Sequence, residues 1–224
     1  MLAHQAASLL DHTLLAPESR PEDIERVCAE AVEHGFYAVC VNPWLLPLAV
    51  RRLSGYAPLP ITVIGFPLGA NLAASKAEEA ARAVDLGAAE LDMVMNIGAL
   101  KAGDTALVRE DMAAVVRAAR GVPVKVIIET CLLTDEEKRA ACALCTETGA
   151  AFVKTSTGFS KAGATVEDVR LLRQAAPPGL KIKASGGIKT PAQARAMIQA
   201  GADRLGTSAS VAIVRDWDLG LEGT

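Results

Sequence analysis

The sequence predicts a (β/α)8 barrel, and three observations point to that fold. Helical patterns end at Gly35, Gly87, Gly149 and Gly201, and each glycine leads within a few residues into a short apolar run. Glycine ends helices because it adopts the left-handed conformation without steric cost. With further runs introduced by proline, eight apolar runs alternate with helices, which is typical of a parallel barrel. No GxGxxG follows the first run, which disfavours an open dinucleotide-binding sheet.

The elements follow one another without a linker or a low-complexity segment. The predicted strands are 9–13, 38–41, 61–65, 90–94, 124–128, 151–154, 180–184 and 204–206. Helix starts are indicated by Pro21 at a first helical position, a capping box at Thr134–Glu137 and the pair Thr190-Pro191. A further apolar periodicity predicts a helix from about 104 to 120. We therefore expect residues 1–224 to form one domain, with a short extra helix at the N-terminus.

Composition limits the partners and the compartment. A net charge of −3 with no Lys/Arg cluster argues against a nucleic-acid surface, and no apolar run reaches the ~20 residues of a membrane helix. The start of the chain lacks a signal-peptide pattern, and the five cysteines do not resemble a disulfide framework. Cys142 and Cys145 form a CxxC inside a helical pattern, without a second pair or a nearby histidine. We expect a cytoplasmic protein without metal, nucleic acid or membrane binding.

Lys154 interrupts the buried strand that precedes it. The run Ala151–Val153 should continue as apolar residues, but a lysine follows, and then Thr155, Ser156 and a glycine. A buried ammonium needs a partner or loses its proton, although a lone lysine could also extend from the strand end to water. Lys183 repeats the arrangement before Gly186 and Gly187, and Asp92 stands at the comparable place in the fourth strand. Two lysines and a carboxylate at strand ends predict an active site.

Other polar residues near strand ends are more ambiguous. Asp11 and Thr157 fall at carboxyl ends of strands, where the sites of these barrels lie. For Lys125, Glu90 and Glu129, a purely structural ion pair inside the barrel remains open.

The loops after the last two strands favour phosphate binding. Ser185-Gly186-Gly187 follows the seventh strand, and Gly206-Thr207-Ser208 belongs to the end of the eighth. These two loops commonly hold phosphate in such barrels, because glycines let backbone N–H groups approach the anion. Phosphate beside paired lysines favours an amine that forms an imine, which serves as an electron sink. An isomerase or epimerase that uses carboxylates, and a non-catalytic phosphosugar-binding protein, are the alternatives.

The same residues lie in segments that resemble a known family. Leu-Asp-Met-Val-Met-Asn at 91–96, Lys-Val-Ile-Ile-Glu-Thr at 125–130, Phe-Val-Lys-Thr-Ser-Thr-Gly at 152–158 and Lys-Ala-Ser-Gly-Gly-Ile at 183–188 closely resemble deoxyribose-phosphate aldolase. The opening Leu-Asp-His-Thr at 10–13 does too, and the resemblance covers about residues 8–214. It implies a metal-free and cofactor-free class I aldolase of deoxyribose catabolism, with a homodimer or homotetramer as the expected assembly. Such an enzyme reversibly splits 2-deoxy-D-ribose 5-phosphate into D-glyceraldehyde 3-phosphate and acetaldehyde.

The resemblance also implies roles for individual residues. Lys154 matches the Schiff-base lysine, Lys183 the second lysine beside it, and Asp92 the aspartate that moves protons through a water molecule. Asp11 matches a supporting acid, and Thr157 matches a hydroxyl that helps to position water. The positions that match the family's phosphate-binding residues are Gly158, Gly186, Gly187, Gly206 and Ser208.

Three departures from the family pattern concern the phosphate and the tail. Phe159 stands where some members have a lysine, and Ala209 where some have a second serine. Either phosphate binding is weaker, or Lys161 or Lys189 supplies the positive charge. The tail 216–224 lacks the terminal tyrosine of certain members, which leaves open whether the tail closes over the site.

Overall fold

Eight parallel strands close into a barrel in the computed structural model, which describes residues 1–218 of the chain. Neighbouring strands follow chain order, and the eighth closes the barrel on the first. The strands are β1 (Leu10–Leu14), β2 (Ala38–Val41), β3 (Leu59–Ile64), β4 (Glu90–Val94), β5 (Val124–Ile127), β6 (Phe152–Lys154), β7 (Lys181–Ser185) and β8 (Arg204–Thr207). Every predicted strand is present, with ends that differ by at most two residues, so the predicted fold class is confirmed.

Helices connect the strands and cover the outside of the barrel. Within residues 1–218 they are α1 (Ala3–Ala7), α2 (Pro21–His34), α3 (Leu46–Leu53), α4 (Ala73–Asp85), α5 (Ile97–Lys101), α6 (Thr105–Ala118), α7 (Asp135–Thr148), α8 (Val166–Ala175), α9 (Pro191–Ala200) and α10 (Ser210–Arg215). The short α1 is the extra helix expected before the first strand. None of these helices has the length and apolarity that a bilayer crossing requires. Residues 219–224, which hold most of the tail discussed above, lie outside the described part.

Local capping signals set the helix ends as the sequence predicts. The Thr134 hydroxyl accepts a hydrogen bond from the Glu137 N–H, and the Thr190 hydroxyl accepts one from the Gln193 N–H, both at 3.3 Å. Gly149 and Gly201 end α7 and α9 in the left-handed conformation. The threonine caps and the left-handed glycines both provide hydrogen bonds for backbone groups that would otherwise lack partners at a helix end.

Pro60 lies inside β3 rather than before it, which corrects the predicted start of that strand. The Leu59 N–H already donates to the Tyr37 carbonyl at 3.0 Å, so β3 is anchored to β2 one residue before the proline. The Pro60 carbonyl accepts from the Ala89 N–H at 2.8 Å on the other side. A proline is tolerated here because only its N–H is missing from the ladder.

The interior of the barrel has an apolar half and a charged half. Ala38, Cys40, Ile61 and Val63, on β2 and β3, form a small apolar cluster that is separate from the main core between strands and helices. The other strands place buried charged side chains in the interior: Asp11, Glu90, Asp92, Lys125, Lys154, Lys183 and Arg204. We call these seven residues the ion network. Because buried charges are costly unless paired, the charged half is where function is to be sought.

Candidate active site

A cavity of about 540 Å³ opens at the carboxyl ends of the strands. Its walls come from the segments that follow β1, β6, β7 and β8. Seven of the predicted site residues line it: Lys154, Thr157, Gly158, Gly186, Gly187, Gly206 and Ser208. Asp11, Asp92 and Lys183 lie beneath the cavity and are fully buried. The structure therefore brings all ten predicted residues to one place.

Lys154 is the member of the ion network that reaches the cavity. It ends the three-residue strand β6, and the barrel register pairs it with Lys183 on β7. Its side chain is 3 % exposed, and its Nζ lies 2.7 Å from Asp92 Oδ2. Burial lowers the pKa of Lys154, the Asp92 carboxylate opposes that effect, and the Lys183 ammonium adds to it. The pKa of Lys154 therefore lies below the ordinary lysine value, which increases the fraction of neutral, nucleophilic amine.

Asp92 lies between three lysines. Its Oδ1 is 2.8 Å from Lys125 Nζ, and its Oδ2 is 2.7 Å from both Lys154 Nζ and Lys183 Nζ. Burial would raise the pKa of Asp92, but the three ammonium groups hold it well below its usual range. The two lysines predicted to interact thus share a single carboxylate oxygen.

Lys183 is held as a cation. It pairs with Asp11 as well as with Asp92, and its side chain is fully buried. Burial acts to lower the pKa of Lys183, but the Asp11 and Asp92 carboxylates raise it above the ordinary value. The pKa values of the neighbouring Lys154 and Lys183 therefore shift in opposite directions, because Lys183 pairs with two carboxylates and Lys154 with one.

The charge balance of the ion network supports the same assignment. Arg204 Nη1 lies 2.9 Å from Asp11 Oδ1 and 3.4 Å from Glu90 Oε2, and Lys125 Nζ lies 2.6 Å from Glu90 Oε2. The network contains three carboxyl groups against four basic groups. An uncompensated charge in a barrel interior is unfavourable, so one basic group is favoured in its neutral form. Burial lowers the pKa of Lys154, and Lys154 lines the cavity, so it is the candidate for that group.

Sequence reasoning missed one member of this network and left two open. Lys125 and Glu90 form the structural ion pair that the sequence left open, and Lys125 also contacts the catalytic candidate Asp92. Arg204 was not singled out. Arg204 lies two residues before Gly206 on β8, so both residues are on the same side of the strand. This spacing in the sequence could have predicted that Arg204 points into the barrel.

Thr157 lines the cavity, but its hydroxyl is already engaged by the protein. It donates to Glu129 Oε2 and accepts from the Phe159 N–H at 3.0 Å. Glu129 has no cationic partner among the residues described, so the ion pair considered for it is not formed.

The loops after β7 and β8 have backbone N–H groups free to bind a ligand, and the loop after β7 packs against the loop after β6. Among the described residues, the N–H groups of Gly187, Ile188 and Ser208 have no acceptor within the protein. Gly163, which the sequence did not indicate, meets the loop after β7. A Cβ there would lie 2.1 Å from the Gly186 carbonyl oxygen, and the Ala164 N–H donates to that oxygen at 3.0 Å. Only a glycine allows the long loop after β6 to rest on the loop after β7.

Two residues considered in connection with phosphate binding, Lys189 and Phe159, lie at the rim of the cavity. Lys189 lines the cavity, whereas Lys161 is not among its lining residues. Phe159 also lines it and contacts Phe66 edge to face, with ring centroids 5.3 Å apart. Among residues 1–218, no group of three or more His, Cys, Asp or Glu side chains is arranged to hold a metal ion.

Comparison with known proteins identifies the family of this chain. The profile described as DeoC/LacD family aldolase matches residues 5–215. A deoxyribose-phosphate aldolase of Thermococcus gammatolerans is 55% identical over 218 residues, covering 96% of this chain and 97% of the relative. One from Bacillus cytotoxicus is 53% identical over 215 residues, covering 96% of each.

Solved structures give the same result. A deoxyribose phosphate aldolase of Aeropyrum pernix, described as tetrameric, superposes with a TM-score of 0.90 at 32% identity, covering 96% of this chain and 92% of that one. Orotidine 5'-phosphate decarboxylase of Pyrococcus horikoshii covers 92% of this chain and 98% of its own, with a TM-score of 0.64 at 17% identity, and shares the fold alone. The matched profile and the close relatives extend over nearly the whole chain and include every residue of the ion network, so this chain belongs to the DeoC/LacD aldolase family.

Proposed function

We propose that this aldolase reversibly cleaves 2-deoxy-D-ribose 5-phosphate to D-glyceraldehyde 3-phosphate and acetaldehyde through an imine on Lys154. The observation that carries the proposal is that Lys154 and Lys183 share one oxygen of Asp92 at the base of the cavity. The pKa of Lys154 is lowered, whereas that of Lys183 is raised. Family membership supplies the reaction class. The names of relatives at 53 to 55% identity supply the substrate.

The reaction starts at the Lys154 amine. It attacks the aldehyde carbon C1 of the open-chain sugar, a C–N bond forms, and the carbonyl oxygen leaves as water. Loss of the proton from the 3-hydroxyl breaks the C2–C3 bond, and the electron pair moves into the imine, which is protonated on nitrogen and so becomes a neutral enamine. Glyceraldehyde 3-phosphate departs. The remaining enamine gains a proton at C2, and hydrolysis releases acetaldehyde and the free amine.

The other buried residues control protons and charge in this scheme. The Lys183 ammonium keeps the pKa of Lys154 low, and Asp11 keeps Lys183 charged. A pKa well below its usual range keeps Asp92 ionised, so it can accept protons relayed by a water molecule. We assign Lys154, Lys183 and Asp92 as catalytic residues and Asp11 as their support.

Turnover with the predicted substrate tests the proposal. We expect the purified protein to release acetaldehyde and glyceraldehyde 3-phosphate, detected by a coupled dehydrogenase, with little change when a chelator is added. Conversion of the phosphosugar to an isomer without acetaldehyde would favour an isomerase or epimerase. Binding without turnover would favour a non-catalytic phosphosugar-binding protein.

The loops after β7 and β8 are proposed to bind the 5-phosphate. We infer that the free N–H groups of Gly187 and Ser208 donate to it, with Gly158, Gly186 and Gly206 giving room and Lys189 adding charge. Gly187→Leu should raise KM for 2-deoxyribose 5-phosphate by about tenfold or more. The leucine side chain would keep the phosphate away from the backbone N–H groups, so charge-assisted hydrogen bonds would be lost. Turnover of unphosphorylated 2-deoxyribose should change far less.

A matched control exists at the other end of the same strand. Gly179 precedes β7, has a positive φ like Gly187, and likewise has open space around it. Gly179→Leu should leave both KM values near the wild-type values. Equal losses on both sugars in Gly187→Leu would mean that the loop serves something other than phosphate.

Gly206 also leaves room for the side chain of the catalytic candidate Lys183. It lies within β8, and a Cβ there would approach Lys183 Cε to 3.0 Å and Ser185 Cβ to 3.1 Å. Gly206→Ala should therefore displace the Lys183 side chain and lower kcat by roughly tenfold, since small misplacements of catalytic groups are costly. Gly98→Ala, where a Cβ meets nothing closer than 3.6 Å, is the control. A raised KM with unchanged kcat would instead show that Gly206 serves phosphate alone.

Three broader properties complete the proposal. We infer that residues 1–224 act as one domain, which is supported by the continuous barrel from β1 to β8. A cytoplasmic location is supported by five free cysteines, four of them buried. A homodimer or homotetramer is proposed because the Aeropyrum pernix relative is tetrameric, and sedimentation of the purified chain would test it.

A further inference from the structure

Glu129 is a buried carboxyl group that the proposed mechanism does not use. It is 2 % exposed, and among the described residues it forms no ion pair. Its backbone has φ 55° and ψ 66°, the left-handed region that non-glycine residues rarely adopt. Strained residues of this kind cost on the order of 1–3 kcal/mol and persist where the surroundings enforce them, often at functional sites.

A kink in the sheet produces this conformation. The Ile128 N–H donates to the Lys154 carbonyl at 3.0 Å, and the Thr130 N–H donates to the Thr155 carbonyl at 2.9 Å. Between these two hydrogen bonds lie two residue steps on the β5 side, from 128 to 130, but only one on the β6 side, from 154 to 155. This mismatch defines a β-bulge. Glu129 is the extra residue. The bulge turns its side chain toward the loop after β6, directly beyond Lys154.

Glu129 holds the first turn of that loop. Its Oε2 accepts the Thr157 hydroxyl, and its Oε1 accepts the Thr157 N–H at 3.3 Å. The Thr157 oxygen in turn accepts the Phe159 N–H at 3.0 Å. The only hydrogen of the Thr157 hydroxyl therefore points to Glu129. Toward the cavity that hydroxyl can only accept a hydrogen bond.

We propose that Glu129 is a positioning residue that fixes Thr157 as a hydrogen-bond acceptor facing the substrate. The group that binds there must be a donor, namely a hydroxyl group of the sugar or the hydrogen of a bound water molecule. Glu129 does not touch the substrate. This inference rests on the proposed aldolase function and adds the direction of one hydrogen bond in its site.

The test compares Glu129→Gln, Thr157→Val and the double variant. A glutamine keeps the size of the side chain, but its amide NH2 can donate to Thr157 and reverse the hydroxyl. We expect Glu129→Gln to lower kcat for 2-deoxyribose 5-phosphate cleavage by about tenfold, with a smaller change in KM. Adding it to Thr157→Val should cost little more, because the two residues act through one hydroxyl. Thr157→Ser should retain most of the wild-type kcat.

Two controls separate this role from general damage. Thr130, next to Glu129, has a buried hydroxyl without a hydrogen-bond partner among residues 1–218, so Thr130→Val should leave kcat unchanged. Borohydride trapping of acetaldehyde depends on Lys154 and should proceed in Glu129→Gln as in the wild type. If Glu129→Gln does not fold, Glu129→Met, which buries no polar atom, replaces it with the same expected loss.

Three results would overturn the proposal. Wild-type kcat in Glu129→Gln would show that the contact is irrelevant to the reaction. Losses that multiply in the double variant would show that Glu129 acts independently of Thr157. Reduced trapping in Glu129→Gln would show that Glu129 affects the reactivity of Lys154 and does not act only through Thr157. Failure of the proposed function itself looks different, because the wild type would then neither cleave the sugar nor trap acetaldehyde.

Discussion

Lys154→Met is expected to abolish nearly all turnover, by roughly a thousandfold or more, as removal of a covalent nucleophile does in other enzymes. Methionine has a similar length and leaves Asp92 paired with Lys125 and Lys183, so the barrel should fold. The measurement is kcat for 2-deoxyribose 5-phosphate cleavage, together with a thermal melt.

Lys125→Met is the matched control for this variant. Lys125 is also buried and also contacts Asp92, but it does not line the cavity. Its loss leaves three basic groups against three carboxyl groups, so imine formation at pH 7 should slow but not be abolished. If Lys154→Met retained turnover within tenfold of the wild type, Lys154 would not be the nucleophile.

Lys183→Leu has the second-largest expected effect, and that effect depends on pH. The Lys183 ammonium, together with burial, lowers the pKa of Lys154, while Asp92 raises it. Leucine removes the repulsion and leaves the Asp92 carboxylate free to favour the charged form of Lys154. The pKa of Lys154 should therefore rise, so less neutral amine is present at pH 7. We expect acetaldehyde trapping to be at least about tenfold slower at pH 7 and to recover partly at alkaline pH.

The pH profile of trapping distinguishes this explanation from a direct role in proton transfer. An electrostatic role predicts a midpoint at higher pH in Lys183→Leu than in the wild type. Lys181→Leu is the control, because Lys181 lies two residues earlier on β7 but is exposed. Profiles that share one midpoint and differ only in height would mean that Lys183 transfers protons or positions the substrate directly.

Much of the fold and the centre of the site could be predicted because local signals determine them. Capping at Thr134 and Thr190 and left-handed glycines such as Gly149 depend on neighbouring residues in the sequence. A closed barrel then brings the carboxyl ends of all strands together, so Lys154, Lys183 and Asp92 had to meet. Their shared oxygen follows from the register that pairs Lys154 with Lys183.

The remaining features depend on contacts between segments that are distant in the sequence. Gly163 is required only because the Gly186 carbonyl lies against it, and the sequence does not show which loops touch. The positive φ of Glu129 arises from the bulge between β5 and β6. No local sequence motif predicts that bulge. Arg204 joins the ion network because it contacts Asp11 on the neighbouring strand β1 and Glu90 across the barrel on β4.

Borohydride reduction in the presence of acetaldehyde, followed by peptide mapping, tests the central claim most directly. Imine formation needs only the nucleophilic amine, so the result does not depend on the phosphate loops or on the identity of the sugar. We predict a single ethyl group on Lys154, formed at neutral pH and absent from Lys154→Met. An adduct on Lys183 or Lys125, or no adduct in a preparation that cleaves the sugar, would contradict the assignment.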